Sequence, residues 1–115
     1  MINISDEYYK ILTNKFCNNA LLKALIEALY NNKTVVMLDS EYCKTKHFFK
    51  INDFNPDGIF KLYLTSKNNE QGELFIYENE GTNVPILDYK GKRTIMNIII
   101  LTNSFDDILE HMLWH

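Results

Sequence analysis

The apolar positions of this chain follow a helical period, then a strand period, then a helical period again. Ser5 stands ahead of the first helical stretch, where its hydroxyl can cap free N–H groups, and Asp6 and Glu7 follow at the positive end of the helix dipole. Ile4 before the cap and Tyr9 beyond it form a hydrophobic staple, and the pattern fades near Asn14. A second helix follows Asn18 and Asn19. In ALLKALIEALY, Leu21, Leu22, Leu25, Ile26 and Leu29 cover most of the circumference, and only the Lys23–Glu27 stripe is polar. Such a helix is buried on more than one side and is expected at the centre of the fold. The NNK at 31–33 ends it.

Strand periodicity begins at TVVML (34–38), a continuous β-branched and apolar run of the kind covered on both faces. DSEYCKTK reads as a polar connection to HFFKI (47–51), and NDFNPDG (52–58) as a turn. IFKLYLT (59–65) alternates, with Phe60, Leu62 and Leu64 on one face and Lys61, Tyr63 and Thr65 on the other. ELFIYE (73–78), VPILD (84–88) and TIMNIIIL (94–101) complete the strands, with YKGKR as a turn. From Ser104, Phe105, Ile108, Leu109, Met112 and Leu113 recur at helical spacing. The expectation is a single α+β domain over 1–115: two N-terminal helices, a mainly antiparallel sheet of about five to six strands, and a C-terminal amphipathic helix.

Composition narrows the function classes. The 115 residues carry a net charge of −3. Nucleic-acid binders draw affinity from a basic face, so no direct nucleic-acid partner is expected, and a basic protein partner suits the charge better. IIIL at 98–101 is far too short to span a bilayer, which needs roughly 20 apolar residues. MINISDEYYK lacks the basic-then-apolar pattern of a secretory signal, so a cytoplasmic protein without a membrane partner is expected. Cys17 and Cys43 are expected as free thiols in that compartment.

Candidate chemistry is sparse. Cys43 and His47, with Glu41 close by, hold the residue types of a thiol nucleophile and its base, but a strand or loop at that spacing fixes no hydrogen bond between them. His111 and His115 share a helical face with Asp107, yet HMLWH lacks the Glu of the zinc-protease motif, so two surface histidines near a helix C-terminus are expected instead of a metal site. Asp39/Glu41, Glu78/Glu80 and Asp106/Asp107 read as solvated edges. Gly81 and Gly91 are turn glycines without a phosphate-binding pattern, and Lys90, Lys92 and Arg93 form a charged hairpin tip. No catalytic residue, metal or cofactor is expected.

Binding surfaces are better represented. Tyr63 and Tyr77 lie in alternating strands opposite the apolar set, and tyrosine buries much area at low entropy cost. Trp114 falls opposite the apolar stripe of the last helix, among Asp107, Glu110 and His111. Either the final turn frays and the indole folds back, or the ring faces solvent as a contact residue. On the second reading, Asp106, Asp107, Glu110 and Trp114 form a contact helix, and Glu70, Glu73, Glu78 and Glu80 a second acidic strip. This profile, small and acidic without catalytic residues, resembles that of many bacterial immunity proteins and antitoxin-like inhibitors, and a non-enzymatic protein-binding inhibitor of that class is expected. Such a protein neutralises a cognate, basic, nuclease-type toxin domain by one-to-one binding over its active site. A phage-type anti-defence factor or small adaptor fits the same surface, and a Cys43/His47 enzyme stands further off. A monomer or weak dimer is expected.

Overall fold

The computed structural model describes residues 2–40 and 43–103. Two helices come first, α1 (Asp6–Lys15) and α2 (Ala20–Tyr30). Seven strands follow: β1 (Val35–Ser40), β2 (Cys43–Asn55), β3 (Phe60–Ser66), β4 (Gln71–Asn79), β5 (Thr82–Tyr89), β6 (Lys92–Ile95) and β7 (Asn97–Thr102). They form one sheet in the order β6-β5-β4-β3-β2-β1-β7, and every neighbouring pair is antiparallel.

The expected five to six strands are corrected to seven. The stretch 94–101 reads as one strand but divides at Met96: β6 pairs with β5, and β7 pairs with β1 at the far edge of the sheet. The expected third helix is not found among the described residues. Its whole span from Ser104, including Asp106, Asp107, Glu110 and Trp114, lies outside them. β2 is also longer than its apolar run, absorbing part of the polar connection before it and Asn52–Asn55 after it.

The joint at Met96 dictates the shape of the sheet. Strands lie ~4.8 Å apart, so the edges of a flat seven-stranded sheet stand roughly 29 Å from each other. Ile95 and Asn97 are two residues apart, a reach of at most ~7 Å. Yet Ile95 is opposite Ile86 of β5, and Asn97 is opposite Asp39 of β1. The sheet therefore curls until its edges meet in one stretch of chain. Met96 N–H donates to Pro85 O at 2.9 Å, and the side chain is buried. Bulges assist the curl, because an extra residue bends its strand. Asn52 is extra between the Ile51–Leu64 and Asp53–Tyr63 pairs, and Ile99 between the Leu38–Ile98 and Met37–Ile100 pairs.

Both helices pack on the concave side. Leu12, Leu22, Leu25, Ile26 and Leu29 join one core with Val36, Phe49, Ile51, Phe60, Leu62, Leu64, Leu74, Ile76 and Leu87. β1 is buried on both faces, as its continuous apolar run predicts: Val36 and Leu38 belong to this core, and Val35 and Met37 pack with Phe48 on the reverse side. No helix among the described residues is long and apolar enough to cross a membrane.

Polar groups fasten the helices in place. Ser5 caps α1, accepting from Tyr8 N–H at 3.1 Å. Asn19 caps α2, accepting from Leu22 N–H at 3.1 Å, and exchanges amide hydrogen bonds with Asn83 at 2.8 and 3.0 Å. Its Nδ2 also lies 3.3 Å from Glu78 Oε2. One buried amide thus caps the central helix and ties it to β4 and β5. Asn19→Ala removes both functions and is expected to destabilise the fold by about 2 kcal/mol in urea unfolding.

Tyr30, at the end of α2, stacks on Tyr9 at 4.2 Å and donates its hydroxyl to Asp6 Oδ1. That hydrogen bond, then desolvation and the Asp6 charge, raises the Tyr30 pKa above its ordinary 10.0. The folded value lies above the unfolded one. The bond's contribution is therefore fully present below pH ~10 and is lost as pH rises through the raised value. Asp6→Asn is expected to bring the Tyr30 titration back down, as followed by NMR of the tyrosine ring carbons.

Candidate protein-binding face

The side of the sheet turned away from the helices is built by strand alternation. Phe60, Leu62, Leu64, Leu74, Ile76 and Leu87 point inward, so Lys61, Tyr63, Glu73, Phe75, Tyr77, Ile86 and Asp88 point outward. The register brings them side by side: Lys61 opposite Phe75, Tyr63 opposite Glu73, Phe75 opposite Ile86, Tyr77 opposite Val84, and Glu73 opposite Asp88. β6 adds Arg93 opposite Asp88, and Ile95 opposite Ile86. Ile95 is 51% exposed, a high value for a large apolar residue in a paired strand.

Aromatic rings and charges are interleaved across this patch. The Phe75 and Tyr77 rings lie 6.1 Å apart. Lys61 Nζ sits 5.1 Å from the centroids of both Tyr63 and Phe75, and the Arg93 guanidinium sits 5.6 Å from that of Phe75. Each cation also reaches a carboxylate: Lys61 to Glu73 at 3.8 Å, and Arg93 to Asp88 at 3.4 Å. These pairs are partly solvated and worth at most about 1 kcal/mol each. Their consequence is order, since they hold the cations against the rings.

Glu73 and Asp88 are direct cross-strand neighbours, an arrangement that like charges resist. Both line a shallow depression of about 370 Å³ beside Tyr63. Asp53, opposite Tyr63 on β2, adds a further exposed carboxylate. The depression presents carboxylate oxygens and a tyrosine ring, with Lys90 at its edge.

The expected site residues are distributed unevenly. Tyr63, Tyr77 and Glu73 come together on this face. Glu70, Glu78 and Glu80 do not join them in one strip. Glu70 lies at the start of β4, accepts from the Tyr89 hydroxyl at 3.3 Å and pairs with Lys90 at 3.4 Å. Glu78 is near the other end of β4, on the helix side beside Asn19. Glu80 occupies the β4–β5 turn at φ 50. Strand alternation separates neighbours, and nine residues of β4 separate the ends. The basic cluster divides in the same way. Lys90 pairs with Glu70, Arg93 joins the outer patch, and Lys92 falls between them on the opposite face.

Sequence reasoning missed Phe75, Ile86, Ile95 and Arg93. Phe75 was accessible from the alternation that singled out Tyr77, since the two are two residues apart. The Cys43 side chain lies outside the described residues. Its backbone is in β2, four residues from His47, and four strand residues span roughly 13 Å, beyond hydrogen-bond reach. Among the described residues, no three His, Cys, Asp or Glu side chains gather as a metal site.

Compared with protein-family models, curated proteins and solved structures, the chain matches none of them.

Tyr77→Ala and Tyr63→Ala remove half-buried rings outside the main core. Each is expected to cost no more than about 1 kcal/mol in urea unfolding, well below the ~2–5 kcal/mol of a core Leu62→Ala.

Proposed function

We propose that this protein is a non-enzymatic binding module that takes a basic protein domain on its outer sheet face. The observation that carries the reading is the juxtaposition of Tyr63, Phe75 and Tyr77 with the opposed carboxylates Glu73 and Asp88. Rings supply area that is buried at little entropy cost. A Lys or Arg from the partner stacks on Tyr63 and reaches the outward carboxylate oxygens beside it, Asp53 among them. The two cations of the patch are already matched by Glu73 and Asp88, and Asp53, which accepts from Phe54 N–H at 2.8 Å, has no cation partner among the described residues.

In its specific form, the protein is a stoichiometric inhibitor of the immunity type, acting in the cytoplasm as a monomer on a toxin domain. An acidic face covering a basic active-site groove blocks a nuclease by occupying the place of phosphate.

The test is inhibition of basic toxin-type domains encoded beside the gene, measured against inhibitor concentration and confirmed by calorimetry. The expected result is complete inhibition at one-to-one ratio, with affinity falling as salt rises. The Tyr63→Ala/Tyr77→Ala variant should bind about 100-fold more weakly while keeping its fold. Inhibition by the variant equal to that of the parent chain moves the site elsewhere. Absence of binding to every such domain overturns the reading.

A further inference from the structure

The concave side of the sheet is not filled evenly. The helices cover the end where β2 turns into β3 and β4 into β5. There Lys15 Nζ donates to Pro56 O at 3.2 Å, Phe16 packs edge-on against Phe60 at 5.7 Å, and Asn19 holds Asn83. Toward the opposite end, near the Lys90–Gly91 turn, a cavity of about 500 Å³ opens on the seam where the edges meet. Its described lining contains no helix residue. That volume lies within the ~300–1,000 Å³ common for small-ligand sites.

The lining is chemically one-sided. Leu87 and Met96 give an apolar floor, and both are buried. His47 and Tyr89 form an aromatic wall, edge-on to each other at 6.2 Å, with Phe49 behind them at 6.1 and 5.0 Å. Gly72 fixes the position of that wall. A Cβ there would stand 3.3 Å from Tyr89 Cδ1 and 3.4 Å from Asp88 O, so the bare backbone lets the ring lie close. Ser40, Lys90, Lys92 and Thr94 stand at the rim. No Asp or Glu occurs among the described lining residues. Glu70, which accepts from the Tyr89 hydroxyl, is paired with Lys90 at 3.4 Å, whereas Lys92 has no carboxylate partner among the described residues.

We propose that this cavity binds a small amphiphilic organic anion. Its flat or aliphatic body lies on Leu87, Met96 and Tyr89, and its acid group meets Lys92, with His47 and Thr94 as hydrogen-bonding neighbours. An apolar floor selects the body, and a rim whose described residues carry lysine and no carboxylate selects the sign of charge. The site is on the opposite face of the sheet from the tyrosine patch, and the two approach each other only at the Lys90–Gly91 turn.

The test uses the full chain and anilinonaphthalene sulfonate, an aromatic anion whose fluorescence rises in an apolar site. One molecule per chain is expected to bind. Decanoate should displace it, and a decyl trimethylammonium salt with the same tail should not. Lys92→Glu, at an exposed position that leaves the fold intact, should weaken binding about tenfold or more, the scale of a charge-assisted hydrogen bond. Thr94→Trp should fill the cavity and abolish binding, and Tyr77→Ala on the outer face should leave it unchanged. Absence of one-per-chain binding overturns the proposal. So does equal displacement by the cationic amphiphile, or undiminished binding to the Lys92→Glu variant.

Discussion

The fold depends on a single-residue joint. Because β6 and β7 sit at opposite ends of the strand order with only Met96 between them, the sheet cannot lie flat. Curling converts its two faces into an inside and an outside. The inside receives α1 and α2, and their apolar stripes and the alternating inward residues of β2 to β5 become one core. The hydrophobic effect stabilises the closed form over an open sheet, since opening would expose Met96, Leu38 and Leu87 together. Bulges at Asn52 and Ile99 let the strands bend without losing the register that keeps apolar side chains inward.

The outside inherits what the period-two pattern excludes from the core. On β3, β4, β5 and β6 this is a mixture of rings, aliphatic groups and matched charges, with Glu73 and Asp88 forced side by side by the pairing of β4 with β5. The tight turn at Glu80–Gly81 sets that pairing, and the one at Lys90–Gly91 sets the pairing of β5 with β6. Both turn residues have positive φ in each case, the geometry of two-residue hairpins whose twist matches the strands. Shifting either turn by one residue would send Phe75 and Tyr77, or Arg93 and Ile95, into the core. Outer-face chemistry and turn chemistry are therefore linked.

Local elements were legible in the residues, but the strand count and the curled sheet were not. Ser5 and Asn19 marked the helix starts, the run at Val35–Leu38 announced a strand buried on both faces, and Phe60-Leu62-Leu64 gave the inward set of β3. The division at Met96 was not legible, because TIMNIIIL is continuously apolar and a period says nothing about which strand lies alongside. Curl is a tertiary property, created when one segment pairs with two distant edges. Alternation alone placed Tyr63 and Tyr77 on the outward face of their strands, whereas Glu70, Glu73, Glu78 and Glu80, read as one strip, could not be resolved into separate environments. Nor could His47, Tyr89 and Thr94 be brought to one cavity, since they come from strands far apart in sequence.

Closure of the sheet through Lys92–Thr102 underlies both the outer face and the inner cavity. Cross-strand backbone NMR contacts measure it most directly. A dilute sample should show Ile95 against Ile86 and Asn97 against Asp39 in the same molecule, with contacts unchanged as concentration falls. One set without the other, or a set that disappears on dilution, would mean an open sheet or an exchanged strand, and would contradict the fold on which both surfaces rest.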